Sequence, residues 1–336
     1  MAHHPTPLKF LAPGWYAVPM GLSGLALAWH RAAPLMGDMA GALAMVLGAL
    51  AALVFAVLLG FTAMRAQRHP EAWLDDRRHP VRHAFIATLP VAAVLLATVA
   101  VAVTGPSALA DALWWVGTSS LLGVTLWVLA RWFQPTAQGG VSWAAITPAL
   151  FIPVVGNVLA PLAGVPLGHA SWAAAQFGIG LLFWPLVLGL LLTRWLVQGP
   201  LPERLWPTLF ILIAPPAVIG NALLSLGAPV LLAWGAWGMA AFTLLWVGSQ
   251  ARRIIALPFG MTHWALLFPL AALTALTLRL AEPGGLLAVL GPLLLALSSL
   301  LALVLTLGTV RGLREGHLLA PEPVAIINVA ASLEAK

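Results

Sequence analysis

The side chains with which this sequence could do chemistry are nine histidines, ten carboxylates, sixteen Lys and Arg, and a scatter of small hydroxyl and amide groups; it has no cysteine. Thiolate nucleophiles, thiolate metal sites and disulfides are therefore excluded together. Histidines could hold haem or a metal, or relay protons, if two of them met at ligand spacing. Their positions argue otherwise. His3, His4, His69, His79, His83, His169 and His317 fall in polar segments or at the ends of apolar runs, and His30 and His263 fall where apolar runs stop or start. The sequence thus offers no metal site, no haem or other cofactor, and no convergent acid, base and nucleophile set of an enzyme. His79 and His83 could meet within one turn, and an interfacial basic cluster is the simpler reading of that pair.

What remains toward the middle of the apolar runs is neutral, including Ser23, Thr98, Asn157 and Asn221, with Ser119, Ser120 and Thr125 in the fourth run. The two asparagines have two open readings. They could hydrogen-bond a permeating solute, or bond between helices and to carbonyls freed by proline. The hydroxyls of the fourth run suit bonds within their own helix or to a neighbour. No Asp, Glu, Lys or Arg falls near the middle of a run. Arg31 and Arg279 lie near run ends, from which long side chains can snorkel to the interface.

The elements that must position these groups are membrane helices. Of the 336 residues 61% are apolar and 8% charged, with a mean hydropathy of +0.98. Ordinary soluble domains carry about 25% charged residues, so a soluble enzyme is excluded. Runs long enough to span a bilayer (about 20 residues) lie at approximately 14–31, 40–63, 84–104, 110–131, 145–164, 172–194, 207–226, 229–249, 263–281 and 286–309. Ten spans leave room only for short connections, so the expectation is one membrane domain over 1–336 with tails of about 1–13 and 311–336.

Under this ten-helix reading Lys9, Arg65, Arg68, Arg77, Arg78, Arg82, Arg131, Arg194, Arg204, Arg252, Arg253, Arg311, Arg314 and Lys336 share one side, and only Arg31 and Arg279 take the other. Such a split is the positive-inside signature, which places both termini in the cytoplasm. It also gives the excess of basic residues a role without a nucleic-acid partner. Fourteen Arg against two Lys, with abundant Ala and Leu, fit GC-rich bacterial coding and hence a multi-pass protein of the bacterial inner membrane. Lys9 and the Ala26-Leu27-Ala28 triplet resemble a signal peptide, but Trp15, Pro19 and Gly21 interrupt the run, so the first helix is expected to stay. The longest connection, 65–82, carries Arg77, Arg78 and Arg82, a cytoplasmic basic cluster that could concentrate anions.

Prolines alternate along the spans. Odd-numbered helices carry Pro19, Pro90, Pro153, the Pro215-Pro216 pair and Pro269, whereas even-numbered helices carry only Pro185 and Pro292. Proline removes a helix hydrogen bond and bends the axis, and freed carbonyls in a membrane need protein partners or a cavity. The alternation predicts an all-α protein of five hairpins, each with one kinked and one straight member. The kinked helices would form an inner ring around a central pore.

Five segments then resemble one known family in order. Gly14-Trp15-Tyr16-Ala17-Val18-Pro19-Met20-Gly21-Leu22-Ser23-Gly24 resembles the first helix of the tellurite-resistance/dicarboxylate transporter family, whose relatives include plant slow anion channels, fungal malate permeases and sulfite exporters. His79-Pro80-Val81-Arg82 is similar to its third-helix entry, Phe151-Ile152-Pro153-Val154-Val155-Gly156 to its fifth helix, Ala214-Pro215-Pro216-Ala217-Val218 to its seventh, and His263-Trp264-Ala265-Leu266-Leu267-Phe268-Pro269 to its ninth. At His83-Ala84 the chain departs from the family, where an Asn often precedes the aromatic equivalent to Phe85. The resemblance implies a homotrimer with one pore per subunit, anion conduction, and a phenylalanine, here Phe268, that closes the pore.

The leading expectation is an anion channel or transporter with a neutral pore. Its candidate lining and kink residues are Pro19, Ser23, Pro90, Pro153, Asn157, Pro216, Asn221 and Pro269, and its partners are lipid and small inorganic or organic anions. The alternative is a proton-coupled transporter or exporter of a C4-dicarboxylate, sulfite or tellurite. A proton relay normally needs an intramembrane acid or histidine, and only His30 or His263, at helix ends, could supply it.

Overall fold

A computed structural model describes residues 7–136 and 139–320, and every regular element among them is helical; His3, His4 and Lys336 lie outside. The α-helices are α1 (Ala17–Met36), α2 (Asp38–Arg68), α3 (Pro70–Arg78), α4 (Arg82–Phe85), α5 (Thr88–Thr104), α6 (Ala108–Ala130), α7 (Phe151–Val155), α8 (Ala160–Gly164), α9 (Ala170–Gln198), α10 (Ala214–Ser225), α11 (Val230–Gly248), α12 (Ala251–Ile255), α13 (Leu267–Leu280) and α14 (Leu286–Arg314). Tight 3₁₀ turns precede or interrupt some of them, at Pro13–Tyr16, Pro148–Leu150, Gly156–Leu159, Glu203–Ile213 and Met261–Leu266.

Eight helical stretches are long and apolar enough to cross a membrane, and they fall into two classes. Arg82–Thr104, Glu203–Ser225 and Met261–Leu280 are 72–78% buried, whereas Asp38–Arg68, Ala108–Phe133, Ala170–Gln198, Val230–Gly248 and Leu286–Arg314 are only 22–33% buried. Two further stretches fall short of that standard for visible reasons. Helix α1, 20 residues long, carries the polar His30-Arg31 pair in its second half, and Pro148–Gly164 is shorter and broken into α and 3₁₀ pieces. Both contribute heavily to the core, through residues such as Leu25, Ala28, Val154 and Val158.

The little-buried helices are apolar all round and turn Leu53, Leu109, Leu196, Leu231, Phe242 and Leu303 outward, as lipid-facing helices do. Their inward faces are narrow. On α2 the buried stripe is Ala40, Ala44, Gly48 and Ala51, and on α11 it is Ala233, Ala236 and Ala240. Small residues three and four apart let helix backbones approach. A Cβ on Gly48 would lie 2.6 Å from Val99, so α2 and α5 are in direct contact there. In chain order α1 packs on α2, α5 on α6, α7 and α8 on α9, α10 on α11, and α13 on α14. The turn joining each pair holds a glycine at positive φ: Gly37, Gly105, Gly168, Gly227 and Gly284, a conformation that side chains bearing a Cβ avoid.

The prolines sit at one repeated position. Pro19, Pro90, Pro153, Pro216 and Pro269 are each the third residue of an α segment, counting from Ala17, Thr88, Phe151, Ala214 and Leu267. The first turn of a helix needs no N–H donor. The expected mid-helix kinks are therefore junctions: the chain arrives in a turn or 3₁₀ segment and starts a fresh α-helix at the proline. Buried hydroxyls satisfy carbonyls left at these breaks. Thr88 Oγ1 donates to the Pro13 carbonyl at 2.7 Å, and Thr125 Oγ1 donates to the Pro153 carbonyl at 2.6 Å.

Some expected loops prove to be helix. α2 continues to Arg68, so Arg65 is not in a connection. It is 4% exposed and donates to Asp76 Oδ2 at 2.7 Å and to the Lys9 carbonyl at 3.0 Å. Likewise α14 runs to Arg314, so the tail expected from 311 starts later.

Candidate functional site

The broken segments bring their junctions together around two cavities. The apolar chamber encloses about 640 Å³ of empty space, its mouth included, among Met20, Phe85, Phe151, Ile211, Trp264 and Phe268, which lie at or near the starts of the broken segments. Its walls are almost entirely carbon. The second, cationic chamber spans about 890 Å³ of empty space, its mouth included, and is lined from the later parts of the same segments, including His30 and Arg31 of α1, Thr98 of α5, Asn221 of α10 and Arg279 of α13.

Two side chains face both spaces: Phe268 and Val218. Val218 is buried on α10, and Phe268 is half-buried on α13, one residue before Pro269. Because α13 begins at Leu267, Phe268 stands in a first helical turn whose backbone has just left a 3₁₀ path. Gly24 makes room for the ring, since a Cβ there would lie 2.9 Å from Phe268 Cδ2. The ring thus lines both chambers and packs against Gly24 of α1.

Helix periodicity explains what else α13 presents to the cationic chamber. Phe268, Ala272, Ala275 and Arg279 all line it, at steps of four, three and four residues along one face. At 1.5 Å per residue, Arg279 lies roughly 16 Å from Phe268 along the axis. Its Nη1 donates to the Asn221 carbonyl at 2.8 Å and to Ser225 Oγ at 3.3 Å. Arg31 and Arg279, which from the sequence could snorkel outward, instead share the chamber that ends at Phe268.

The other expected site residues separate into lining and scaffold. Asn221 lines the cationic chamber and donates from Nδ2 to the Ala217 and Ala272 carbonyls at 3.0 and 3.2 Å. Asn157 is fully buried, and its Nδ2 donates to Thr125 Oγ1 at 2.9 Å and to the Val154 carbonyl at 3.3 Å, so it ties helices together. Pro269 lines the apolar chamber, as does Pro215 beside Pro216. Ser23 and Pro19, Pro90, Pro153 and Pro216 are buried and contribute to neither lining. Among the described residues no group of three or more His, Asp or Glu could hold a metal.

These observations describe a helical membrane protein with two chambers that share an aromatic lining residue, Phe268. Residues 11–310 match the family described as voltage-dependent anion channel, SLAC1. The chain belongs to that family. A tellurite resistance protein TehA homolog of Haemophilus influenzae is 29% identical over 276 residues, covering 78% of this chain and 79% of the relative. The uncharacterized transporter MJ0762 of Methanocaldococcus jannaschii is 24% identical over 304 residues, covering 80% and 84%. The S-type anion channel SLAH2 of Arabidopsis thaliana is 24% identical over 213 residues, covering 63% of this chain and 40% of the plant protein. SLAC1-family members are anion channels and transporters, not enzymes.

In this SLAC1-family chain the basic cluster divides. Arg77 and Arg78 are exposed at the end of α3, and Arg77 lies over the Trp127 ring at 5.4 Å. Arg82 instead pairs with Asp76 Oδ1 at 3.2 Å, on the carboxylate whose other oxygen binds Arg65. His79 and His83 do share a turn: His83 Nδ1 is 3.1 Å from the His79 carbonyl. Burial and the charge of Arg82 push His79 down to about 4, so its ring is neutral near pH 7 and its Nδ1 accepts the Val81 and Arg82 backbone N–H groups, each at 3.1 Å. The residues that sequence reasoning missed are Gly24, Val218 and the Arg31–Arg279 pair. For Arg279 the signal was present, because eleven residues after Phe268 is three helical turns on one face.

Proposed function

We propose that this chain passes small anions across the bacterial inner membrane through a neutral constriction, with Phe268 as the gate. The observation that carries this reading is that Phe268, with Val218, lines both chambers, whose linings are drawn largely from the broken segments. In this reading the ten spans form five hairpins. The broken members make an inner ring around the path, the straight members face lipid, both termini are cytoplasmic, and three subunits assemble with one path each. The apolar chamber then opens toward the cytoplasm. Arg77 and Arg78 raise the anion concentration at that face. The constriction holds no fixed charge, so an anion is not trapped there.

A second reading is a proton-coupled carrier of a dicarboxylate, sulfite or tellurite. One observation favours it: His30 lines the cationic chamber, where a titratable ring could couple proton and anion occupancy. Purified protein in liposomes decides between them. Nitrate or chloride flux down its own gradient, unchanged by an imposed proton gradient, is the expected result. Uphill accumulation driven by the proton gradient would replace the channel with the carrier, and the absence of any anion flux would overturn both.

A further inference from the structure

The cationic chamber carries a charge arrangement that conduction through a neutral constriction does not require. Two guanidinium groups, from α1 and α13, line one cavity. Among the described residues no carboxylate lies within ion-pair distance of either, although Asp38 and Glu282 follow closely in the chain. Arg279 is half-buried and braced on the α10 backbone through the Asn221 carbonyl. That bond orients the guanidinium without neutralising it. Arg31 is more exposed, at the chamber mouth. Intramembrane cations without acidic partners are costly, and a fixed, hydrogen-bonded guanidinium with free N–H directions is suited to oxyanions.

We propose that Arg31 and Arg279 form a binding site for a small divalent oxyanion in the cationic chamber, and that a bound dianion blocks monovalent anion flux arriving from that side. Two positive charges in one chamber balance two negative charges on one ligand, whereas a monovalent anion leaves one guanidinium uncompensated. Arg279 supplies the deep, pre-oriented contact and Arg31 closes from the mouth. The site lies about three helical turns from Phe268, so an occupied site obstructs the approach without touching the gate. The blocking half of this proposal rests on the conduction reading above, while the binding half does not.

The experiment uses the full chain in a neutral detergent, with sulfate as probe and chloride at matched ionic strength as control. Matching matters because salt screens any exposed charge. Sulfate should raise the melting temperature along a saturating curve that chloride does not reproduce. Arg31→Gln, at an exposed position, should weaken the sulfate midpoint about ten-fold, the scale of one lost charge-assisted contact. Arg279→Gln should do the same, and Arg279→Lys, which keeps the charge, covers the case in which the glutamine variant does not fold. In planar bilayers sulfate added to one face should inhibit nitrate current, and Arg31→Gln should relieve the block. A sulfate midpoint equal to that of chloride, or unchanged in Arg31→Gln, would overturn the site. Sulfate binding without any nitrate current would leave the site standing and remove the conduction reading, and current without sulfate block would remove the blocking role.

Discussion

Replacing Phe268 by alanine separates a gate from a packing residue, and the structure sets the size of both effects. Truncating a fully packed phenylalanine costs about 3–5 kcal/mol. Phe268 is half-buried and faces empty space on two sides, so the loss should be about half that range, roughly 2 kcal/mol. If the ring must leave its rotamer for an anion to pass, that movement costs about 0.5–1.5 kcal/mol. At a factor of ten per 1.4 kcal/mol, its removal should raise basal flux roughly 2- to 12-fold. The adjacent Leu267 is the internal control. It is fully buried and packs on Gly21, where a Cβ would lie 2.9 Å from Leu267 Cδ2. Leu267→Ala should therefore lose about 2–5 kcal/mol with no gain of flux. Anion efflux and detergent melting temperature are measured on the same preparations of all three proteins. A Phe268→Ala protein that melts as low as Leu267→Ala and conducts no more than the parent would assign Phe268 to packing.

Four further outcomes follow from the cytoplasmic face and the topology. Asp76→Asn strands the 4%-exposed Arg65 guanidinium and should cost about 3–5 kcal/mol in a chemical or thermal melt; a loss under about 0.5 kcal/mol would show that the pair contributes nothing net. His79, held down at about 4 from 6.5, contributes stability that is present above pH 6.5 and is lost as pH falls toward 4. Discounted for its partial exposure this is about 1–2 kcal/mol, so His79→Asn should flatten the melting-temperature decline over that interval, and parallel curves would count against it. Arg77→Gln with Arg78→Gln, leaving the Asp76-paired Arg82 intact, should lower flux from the cytoplasmic side more at low than at high salt; equal loss at all salt concentrations would point to a structural role. The chain has no cysteine, so single cysteines at Arg78, Gln134, Arg204 and Arg252 should react with an impermeant thiol reagent only from the cytoplasm, and cysteines at Pro106, Ala228 and Glu282 only from the other side. Two reversals would break the ten-span topology.

Much of this architecture was legible because membrane helices obey few rules. Apolar run length gave the long helices, and the prolines marked every segment that is broken. What the prolines could not reveal was azimuth. Asn157 and Asn221 follow their prolines at nearly the same distance, yet Asn157 bonds to Thr125 inside the scaffold and Asn221 faces the chamber. A 3₁₀ turn advances three residues per turn and an α turn 3.6. Each passage from one to the other resets the phase, so a residue's face no longer follows from counting. In Gly156–Leu159 the 3₁₀ interruption falls on Asn157 itself, whereas Asn221 lies inside α10. The charged residues failed for a different reason. Arg65, Arg31 and Arg279 were read from their distance to the ends of runs, but their roles are set by partners far away in sequence or, for the last two, by a shared cavity.

The division of polarity between the chambers bears on how a neutral constriction can still favour anions. An ion in the apolar chamber finds almost no donor to replace its water, so the dehydration cost is concentrated between that chamber and the ring. In the cationic chamber Arg31 and Arg279 lower the energy of an anion and raise that of a cation. On the proposed conduction path, selectivity by sign is imposed on one side of Phe268, while the rate is limited at the ring and beyond. Charge placed at the ring itself would merge the two functions and hold the anion at its narrowest point, where conduction requires weak binding. Keeping the arginines three helical turns from the ring separates attraction from passage. In the proposed gate Gly24 serves the same separation, because it leaves room beside α1 for a bulky apolar ring that would close the path by contact alone.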